Sequence, residues 1–181
     1  MKIKAIPLII TGMLPLASFA SDGDITFVGL VEASACTLNG FNGGPAATSA
    51  VMTLPAVTPA SFSGGGGYAG MKDFTIDLRN CDISTMQNAR VTFSGSPDTV
   101  DNAILRNMSD SNAATGVGIA ILENNGTKLV DINGGTPSDS QTLTEGNTTL
   151  KFKVAYKANT STPAVTSGNV QAKTFIDIFY Q

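Results

Sequence analysis

The side chains that most often carry catalysis or bind metals are scarce in this chain of 181 residues, which has no histidine and two cysteines. Without histidine, a Ser-His-Asp or Cys-His catalytic set and a His-ligated zinc, copper or haem site are excluded. Two cysteines are too few for a four-cysteine metal site. A serine nucleophile activated by lysine would need a Ser-x-x-Lys motif, and none occurs after residue 20. We therefore expect no catalytic residue, no metal and no cofactor.

The remaining polar motifs each lack a feature that the corresponding functional site would need. Asp73 and Asp77 lie at outward positions of a predicted strand, so they do not form the carboxylate pair in a cleft that glycoside hydrolysis needs. Residues 98–102 lack the spacing and the final glutamate of a calcium loop. The glycine run 64–67 lacks the Lys-Ser/Thr of a phosphate loop, and Asn107-Met108-Ser109 matches a glycosylation pattern by coincidence. A net charge of −3 gives no reason to expect a nucleic-acid partner.

Residues 1–20 have the pattern of a secretory signal peptide. Lys2 and Lys4 precede an apolar run that ends in small residues, with Ser18 and Ala20 at the −3 and −1 positions of a cut after Ala20. The run is too short, and too often interrupted by proline and glycine, for a transmembrane helix. Export places Cys36 and Cys81 in an oxidising compartment, where we expect them to form a disulfide. A reactive thiol would need a basic neighbour, and only Arg79 is near in sequence.

Apolar and polar residues alternate with a period of two through most of the rest of the chain, which is the pattern of half-buried strands. Glycine and proline clusters separate these runs. About seven short strands, one disulfide and no convincing helix predict a two-layer antiparallel sandwich of the immunoglobulin type. The alternating runs cover residues 72–78, 90–94, 117–121, 150–157 and 172–180.

The two ends of this sandwich have complementary defects. Counted from the strand around 33–41, the element at 168–181 is the sixth, and the seventh strand of the immunoglobulin type has no counterpart. Ahead of the fold, Ile25, Phe27, Gly29 and Val31 alternate as a surplus strand would. An exposed edge with a bare strip of core is costly. We expect each molecule's surplus strand to fill the next molecule's groove, in a head-to-tail contact that propagates.

With these features the chain resembles the pilin subunits of the chaperone–usher class, and most closely the type 1 major pilin family. The motifs that carry the resemblance run over the whole exported chain. The family's glycine before the last strand and its penultimate tyrosine fall on Gly168 and Tyr180. The other matching stretches are Phe27-x-Gly29-x-Val31 before Ala35-Cys36, Cys81 after Asp77-Leu78-Arg79-Asn80, Gly116 to Leu122, Phe152-x-Val154-x-Tyr156 and Asn169-x-x-Ala172.

The resemblance implies an all-β, incomplete immunoglobulin-like sandwich that lacks its last strand and is completed by a neighbour's donor strand. It divides the chain into a signal peptide (1–20), a donor-strand extension (21–32) and a pilin domain (33–181). The donor positions are Ile25, Phe27, Gly29 and Val31. The acceptor groove and C-terminal motif comprise Gly168, Ala172, Thr174, Ile176, Ile178 and Tyr180.

The implied function is a structural subunit of a surface fimbria that serves cell adhesion. The implied partners are identical or related pilin subunits, a periplasmic chaperone and an outer-membrane usher, and the route is export through the periplasm to the cell surface. The alternative is a minor or adaptor/tip pilin with a receptor-binding role, because it would share every motif named above. Phe175 and Phe179, on the opposite face of the last strand from Tyr180, depart from the pattern and suggest contact with a neighbour in a filament.

Overall fold

Antiparallel strands form almost all of the regular structure in the computed structural model, which describes residues 25–29, 35–62, 67–159 and 164–181. The chain divides into two units, Met1–Glu32 and Ala33–Gln181, and each is described by itself. In the first unit, residues 25–29 have no regular secondary structure and are exposed. The predicted signal peptide lies outside the described residues, and the three-part division of the chain stays a prediction.

The regular secondary structure in the described part of the second unit consists of eight strands and one short 3-10 helix, Pro59–Phe62. The strands are β1 (Thr37–Phe41), β2 (Tyr68–Cys81), β3 (Asn88–Gly95), β4 (Leu105–Arg106), β5 (Val117–Glu123), β6 (Gln141–Thr142), β7 (Gly146–Ala158) and β8 (Thr174–Tyr180). They form a five-stranded sheet in the order β1-β2-β7-β5-β4 and a three-stranded sheet in the order β6-β3-β8. Every strand pair is antiparallel, which confirms the all-β antiparallel architecture predicted from the sequence.

Three phenylalanines join the two sheets at the centre of the core. Phe74 and Phe152 come from neighbouring strands of the five-stranded sheet and stack with ring centroids 5.5 Å apart. Phe93 comes from the three-stranded sheet and meets Phe152 edge to face at 5.2 Å. Edge-to-face and offset contacts are the favoured aromatic geometries. The inward positions of the alternating runs therefore bring the two sheets together as the sequence pattern predicts.

The predicted disulfide is confirmed: Cys36 and Cys81 are bonded to each other. Cys36 directly precedes β1 and Cys81 ends β2, so the bond fastens the edge strand of the larger sheet to its neighbour. The Asp82 amide strengthens the junction by donating to the Ala35 carbonyl at 2.8 Å. The disulfide and this hydrogen bond together fasten the start of β1 to the end of β2.

Strand β5 departs from the predicted pattern, because all seven of its residues are buried rather than only the face of Val117, Ile119 and Ile121. A second apolar cluster covers its other face, formed by Ile104, Ala120, Leu122 and Ala155. Gly118 allows this cover, since a Cβ there would lie 2.5 Å from the Leu105 carbonyl oxygen. Tertiary packing of the segment around Ile104 thus makes a half-buried pattern into a fully buried strand.

The acidic loop at residues 98–102 is held by polar contacts within the fold. The Asp98 carboxylate accepts hydrogen bonds from the amides of Val100 and Asp101 and from the side chain of Asn159. The Asp101 carboxylate pairs with the Lys157 ammonium, and both side chains are largely buried. These contacts give the aspartates a structural role in attaching the loop to β7.

The Asp101 pair makes a prediction about acid stability. Burial opposes ionisation of Asp101, but the bonds from Lys157 and from the Ala103 amide outweigh it and hold its pKa below the ordinary value. A carboxyl whose pKa is lowered by folding stabilises the protein above its unfolded pKa of about 3.9, and this contribution is lost as pH falls through the folded pKa.

We therefore expect Asp101→Asn to lower the free energy of unfolding by about 1–3 kcal/mol at pH 7, because it removes a hydrogen-bonded charge partner. The difference from wild type should shrink as the pH falls through the folded pKa of Asp101, because the carboxyl then becomes neutral like the amide that replaces it. Urea unfolding of the purified protein at pH 7 and at successively lower pH measures this, with Asp110→Asn at an exposed position as control. A loss that stays equal at every pH would contradict the assigned role of the ion pair.

Candidate functional site

The backbone of β8 presents an open edge. This strand is at the end of the three-stranded sheet and, among the residues described, its named strand partner is β3. Beyond its last residue, Gln181 and Asn88 exchange two backbone hydrogen bonds of 2.9 and 3.0 Å. Antiparallel pairs alternate between bonded and non-bonded positions, so every second residue of β8 turns its N–H and C=O away from β3. These outward-directed backbone groups belong to Thr174, Ile176, Ile178 and Tyr180.

The side chains of the same residues face the core but are incompletely covered. Ile178 lies opposite Val91, and Ile176 lies opposite Phe93, and directly opposed residues share one face of a sheet. Val91 and Phe93 are 0% and 1% exposed, whereas the inward residues of β8 are only half-buried. The core is therefore thinly covered along β8, where a further strand of a complete sandwich would lie.

Tyr180 fixes the C-terminal end of this edge. Its hydroxyl donates to the carbonyl of Cys36 at 3.3 Å, which connects the end of β8 to the residue that precedes β1. Burial raises the pKa of the Tyr180 phenol, so the hydroxyl keeps its proton for this bond through the neutral range. Because β1 and β8 are the edge strands of their two sheets, this contact places both edges on the same side of the sandwich.

Apolar side chains from both ends of the second unit surround this region of the core. One half-buried group belongs to the C-terminal segment, and another belongs to β1 and the loop after it. Half-buried apolar surface of this kind gains free energy when it is covered. The C-terminal group comprises Val170, Ala172, Ile176, Ile178 and Tyr180, and the N-terminal group comprises Leu38, Phe41, Met52 and Leu54.

Gly168 fixes the other end of the C-terminal segment, and the structure gives a physical reason for glycine there. Its φ is +154°, and a Cβ would lie 2.4 Å from both the Ala114 nitrogen and the Asn112 oxygen. Such approaches to backbone atoms leave no room for a side chain. Asn169 then bonds to this neighbouring segment on both sides, donating its amide to the Asn112 carbonyl and accepting from the Ala114 amide.

The side chain of Asn107, for which the sequence predicts no structural role, connects the same two segments. Its Nδ2 donates to the carbonyls of Ala114 and Asn169, both at 2.9 Å. Its Oδ1 accepts from the amides of Ser109 and Gln171. The amide group thus uses both donors and both lone pairs of its acceptor. No sequence pattern distinguishes Asn107 from the chain's many other asparagines, because its partners are far apart in sequence.

The predicted acceptor residues therefore lie on one continuous segment, with Gly168 at its start and Tyr180 near its end. Of the predicted donor residues, Ile25 and Phe27 are 80% and 89% exposed, and a Cβ added at Gly29 would have no atom within 4 Å. Val31 lies outside the described residues. The assignment of donor and acceptor roles to these residues stays a prediction.

Two other kinds of site are absent from the described ranges. In residues 25–29, 35–62, 67–159 and 164–181, no group of three or more acidic or cysteine side chains is placed to hold a metal ion. Over the same ranges, no helix has the length and apolar character needed to cross a membrane. The candidate site in the described residues is therefore the open edge of β8 together with the half-buried apolar side chains beside it.

Comparison with known proteins gives a consistent set of relatives. A family model described as "Fimbrial protein" matches residues 25–181. The fimbrial subunit ElfA of Escherichia coli K12 is 38% identical over 161 residues, covering 88% of this chain and 84% of the relative. The type-1 fimbrial protein A chain of Salmonella typhi is 36% identical over 165 residues, covering 90% and 85%.

Solved structures agree on the fold. The P pilus rod subunit PapA aligns with a TM-score of 0.63 at 21% identity, covering 82% of this chain and all of that chain. A chaperone-usher pilus studied for rod uncoiling aligns with a TM-score of 0.64 at 21% identity, covering 94% of this chain and all of that chain. A type I fimbria protein of Burkholderia pseudomallei aligns at 0.58 with 29% identity, covering 78% and 88%.

The close approach at Gly168 predicts that alanine is not tolerated there. We expect Gly168→Ala to destabilise the protein by more than about 3 kcal/mol, because the new Cβ forces the backbone of residues 112–114 to move. Gly146→Ala is the matched control, since Gly146 also has a positive φ but has nothing within 4 Å of a Cβ. The control should lose only about 1–2 kcal/mol. Urea unfolding measures both, and equal losses would refute the packing argument.

Proposed function

This chain belongs to the fimbrial protein family, and we propose that its subunits join by strand donation, in which residues 22–32 of one subunit fill the open edge of β8 in the next. The chain is a structural subunit of a surface fimbria, it reaches the cell surface through the periplasm, and it associates with other pilin subunits. The proposal concerns which residues make that association and in what order.

The observation that carries the proposal is the open edge of β8. Four residues of this strand combine backbone groups that point away from β3 with inward side chains that are only half-buried. An added strand would pair with those N–H and C=O groups and would cover the apolar strip with every second side chain. A strand is the occupant that satisfies both needs at once, because a helix or an apolar ligand would leave the edge unpaired.

The extension has the length and pattern of such a strand. It has four alternating positions, Ile25, Phe27, Gly29 and Val31. Strand β8 likewise has four inward positions between Thr174 and Tyr180. Ile25 and Phe27 are almost fully exposed to water in the subunit. Covering each of them in a neighbour would contribute about 1.5–3 kcal/mol as an upper estimate.

Gly29 supports the proposal because nothing in the described part of the subunit requires a glycine at this position. Its φ is not in the left-handed region, and a Cβ at this position would meet nothing within 4 Å. The subunit by itself therefore gives no reason for glycine. A reason arises where the inserted backbone must approach the acceptor core closely, at a point too shallow for a side chain.

We further infer two assembly partners from the exposed edge. A subunit with an unpaired strand and a bare apolar strip would aggregate during export. A periplasmic chaperone that lends a strand to β8 would prevent this, and an outer-membrane usher would exchange that strand for the extension of the incoming subunit. Both partners rest on the family resemblance together with this physical need.

We also propose that the chain is not an enzyme. Its relatives are structural fimbrial subunits, and the sequence has no histidine to serve as a general base. The alternative role, a minor or tip subunit that binds a receptor, has no stronger support than the structural role.

Substitution at Gly29 tests strand donation. We expect Gly29→Leu to reduce the yield of assembled filaments at least tenfold, because its side chain would prevent the close approach of backbone and core. Val28→Leu introduces the same side chain at an outward position of the same segment and should leave the yield unchanged. The readout is the ladder of multimers that resists dissociation on an unheated denaturing gel of material sheared from cells. Equal ladders from the two variants would contradict the proposed role of residues 22–32.

A further inference from the structure

An exposed turn directly after β1 contains the pair Asn42-Gly43. An asparagine followed by glycine can react with itself, because the glycine amide nitrogen can attack the side-chain carbonyl carbon of the asparagine and glycine has no side chain to obstruct the attack. A Cβ added at Gly43 would meet nothing within 4 Å, so the turn is open to water. The contacts of Asn42 and Gly43 decide whether this reaction is assisted.

The attacking nitrogen is in contact with a carboxylate. The Gly43 amide donates to Asp77, with 2.6 Å between the nitrogen and Oδ2. The other carboxylate oxygen accepts from the hydroxyls of Thr75 and Thr149, which orient the group. A backbone amide nitrogen is a poor nucleophile while it keeps its proton, and a general base must lie within hydrogen-bond distance of the proton that it removes. Asp77 meets this requirement.

The group under attack is also held by a hydrogen bond. The Oδ1 of Asn42 accepts from the Thr75 amide at 3.0 Å, and the Asn42 amide donates to the Thr75 carbonyl at 3.2 Å. Attack on the side-chain carbonyl carbon places negative charge on Oδ1, and an N–H directed at this oxygen stabilises that charge. The turn therefore combines a polarised carbonyl with a nitrogen whose proton faces a base.

The other pairs of this type have different contacts. They begin at Asn39, Asn125 and Asn133. Gly40 is buried within β1, where strand pairing opposes ring closure. The amides of Gly126 and Gly134 donate to the backbone carbonyls of Glu123 and Phe93, which are too weakly basic to remove an amide proton.

Asn125 is the matched comparison for Asn42 within the same molecule. It is also exposed in a turn, and its Oδ1 accepts from the amides of Thr127 and Lys128 at 2.9 and 3.3 Å. The two asparagines thus share a polarised side-chain carbonyl and a following glycine. They differ in the group that receives the glycine N–H, which is a carboxylate after Asn42 and a carbonyl after Asn125.

We propose that Asn42 is a site of self-modification, at which its side-chain amide becomes a carboxylate with Asp77 as the general base. The Gly43 nitrogen bonds to the Asn42 Cγ, and its proton passes to the Asp77 carboxylate. Asp77 returns the proton to the side-chain nitrogen, the bond from Cγ to that nitrogen breaks, and ammonia leaves. A five-membered succinimide ring remains. Water opens the ring at either of its two carbonyls, which gives aspartate or isoaspartate at position 42.

The modification changes the end of β1. Either product adds one negative charge to the turn that contacts Asp77. Isoaspartate also places one extra main-chain atom between residues 42 and 43, which disturbs the 3.0 Å bond from the Gly44 amide to the Phe41 carbonyl. The reaction needs only this chain and water. It goes beyond the proposed function and does not depend on strand donation.

The test incubates the purified protein at neutral pH in water enriched in heavy oxygen and follows each asparagine by peptide mass spectrometry. A side chain that reacts during the incubation gains one heavy oxygen atom, which separates it from reaction in cells or during later handling in ordinary water. We expect Asn42 to react at least tenfold faster than Asn125 in the wild-type protein. A rate at Asn42 equal to or below that at Asn125 would overturn the proposal.

Asp77→Asn removes the base and keeps an oxygen that can accept from the Gly43 amide, while its new amide nitrogen can donate to the two threonine hydroxyls. We expect the rate at Asn42 to fall at least tenfold and the rate at Asn125 to stay unchanged. An unchanged rate at Asn42 in this variant would overturn the proposal, as would an equal fall at both asparagines.

Two further variants separate the base from packing. Asp73→Asn removes a carboxylate from the same strand that pairs with Lys153 instead, and it should leave the rate at Asn42 unchanged. Asp77→Glu keeps a carboxylate at the site, and Asn42 should react faster in this variant than in Asp77→Asn. Equal rates in the two variants at position 77 would assign the effect to packing and would overturn the role of Asp77.

Discussion

The structure depends on one constraint, the unpaired edge of β8. Four consecutive inward positions present backbone groups and apolar side chains for which the described part of the fold provides no complete cover. Contacts at both ends keep this edge in place: Tyr180 bonds to Cys36 beside the disulfide, and Gly168 packs against residues 112–114. The proposed strand donation rests on this edge, because an exposed strand edge beside uncovered apolar side chains is costly to leave open.

The two faces of β8 differ in their surroundings, since the inward residues are half-buried and the outward residues are exposed. In the proposed assembly, the inward face and the edge of β8 would provide the attachment between subunits, because ladder hydrogen bonds and core burial would act together there. On the outward face, Phe175 and Phe179 are exposed in the subunit, and a strand added at the edge of β8 would leave them uncovered.

Much of the fold could be predicted from the sequence, because half-buried strands alternate apolar and polar residues with a period of two. The strands around Phe74, Val91 and Phe152 follow from alternation, and the Cys36–Cys81 bond follows from export. The two-sided burial of β5 could not be predicted, since it depends on where the segment around Ile104 folds. The role of Asn107 could not be predicted either, because its partners at Ala114 and Asn169 meet only in the folded chain.

Hydrogen exchange of the β8 amides, compared between filaments and the subunits released from them, tests the central claim most directly. The amides of Phe175, Asp177 and Phe179 pair with β3 and should be protected in both samples, which provides an internal control. The account predicts that the amides of Ile176, Ile178 and Tyr180 are protected in filaments and exchange rapidly after release. Rapid exchange of these three amides in intact filaments, or equal protection in released subunits, would contradict it.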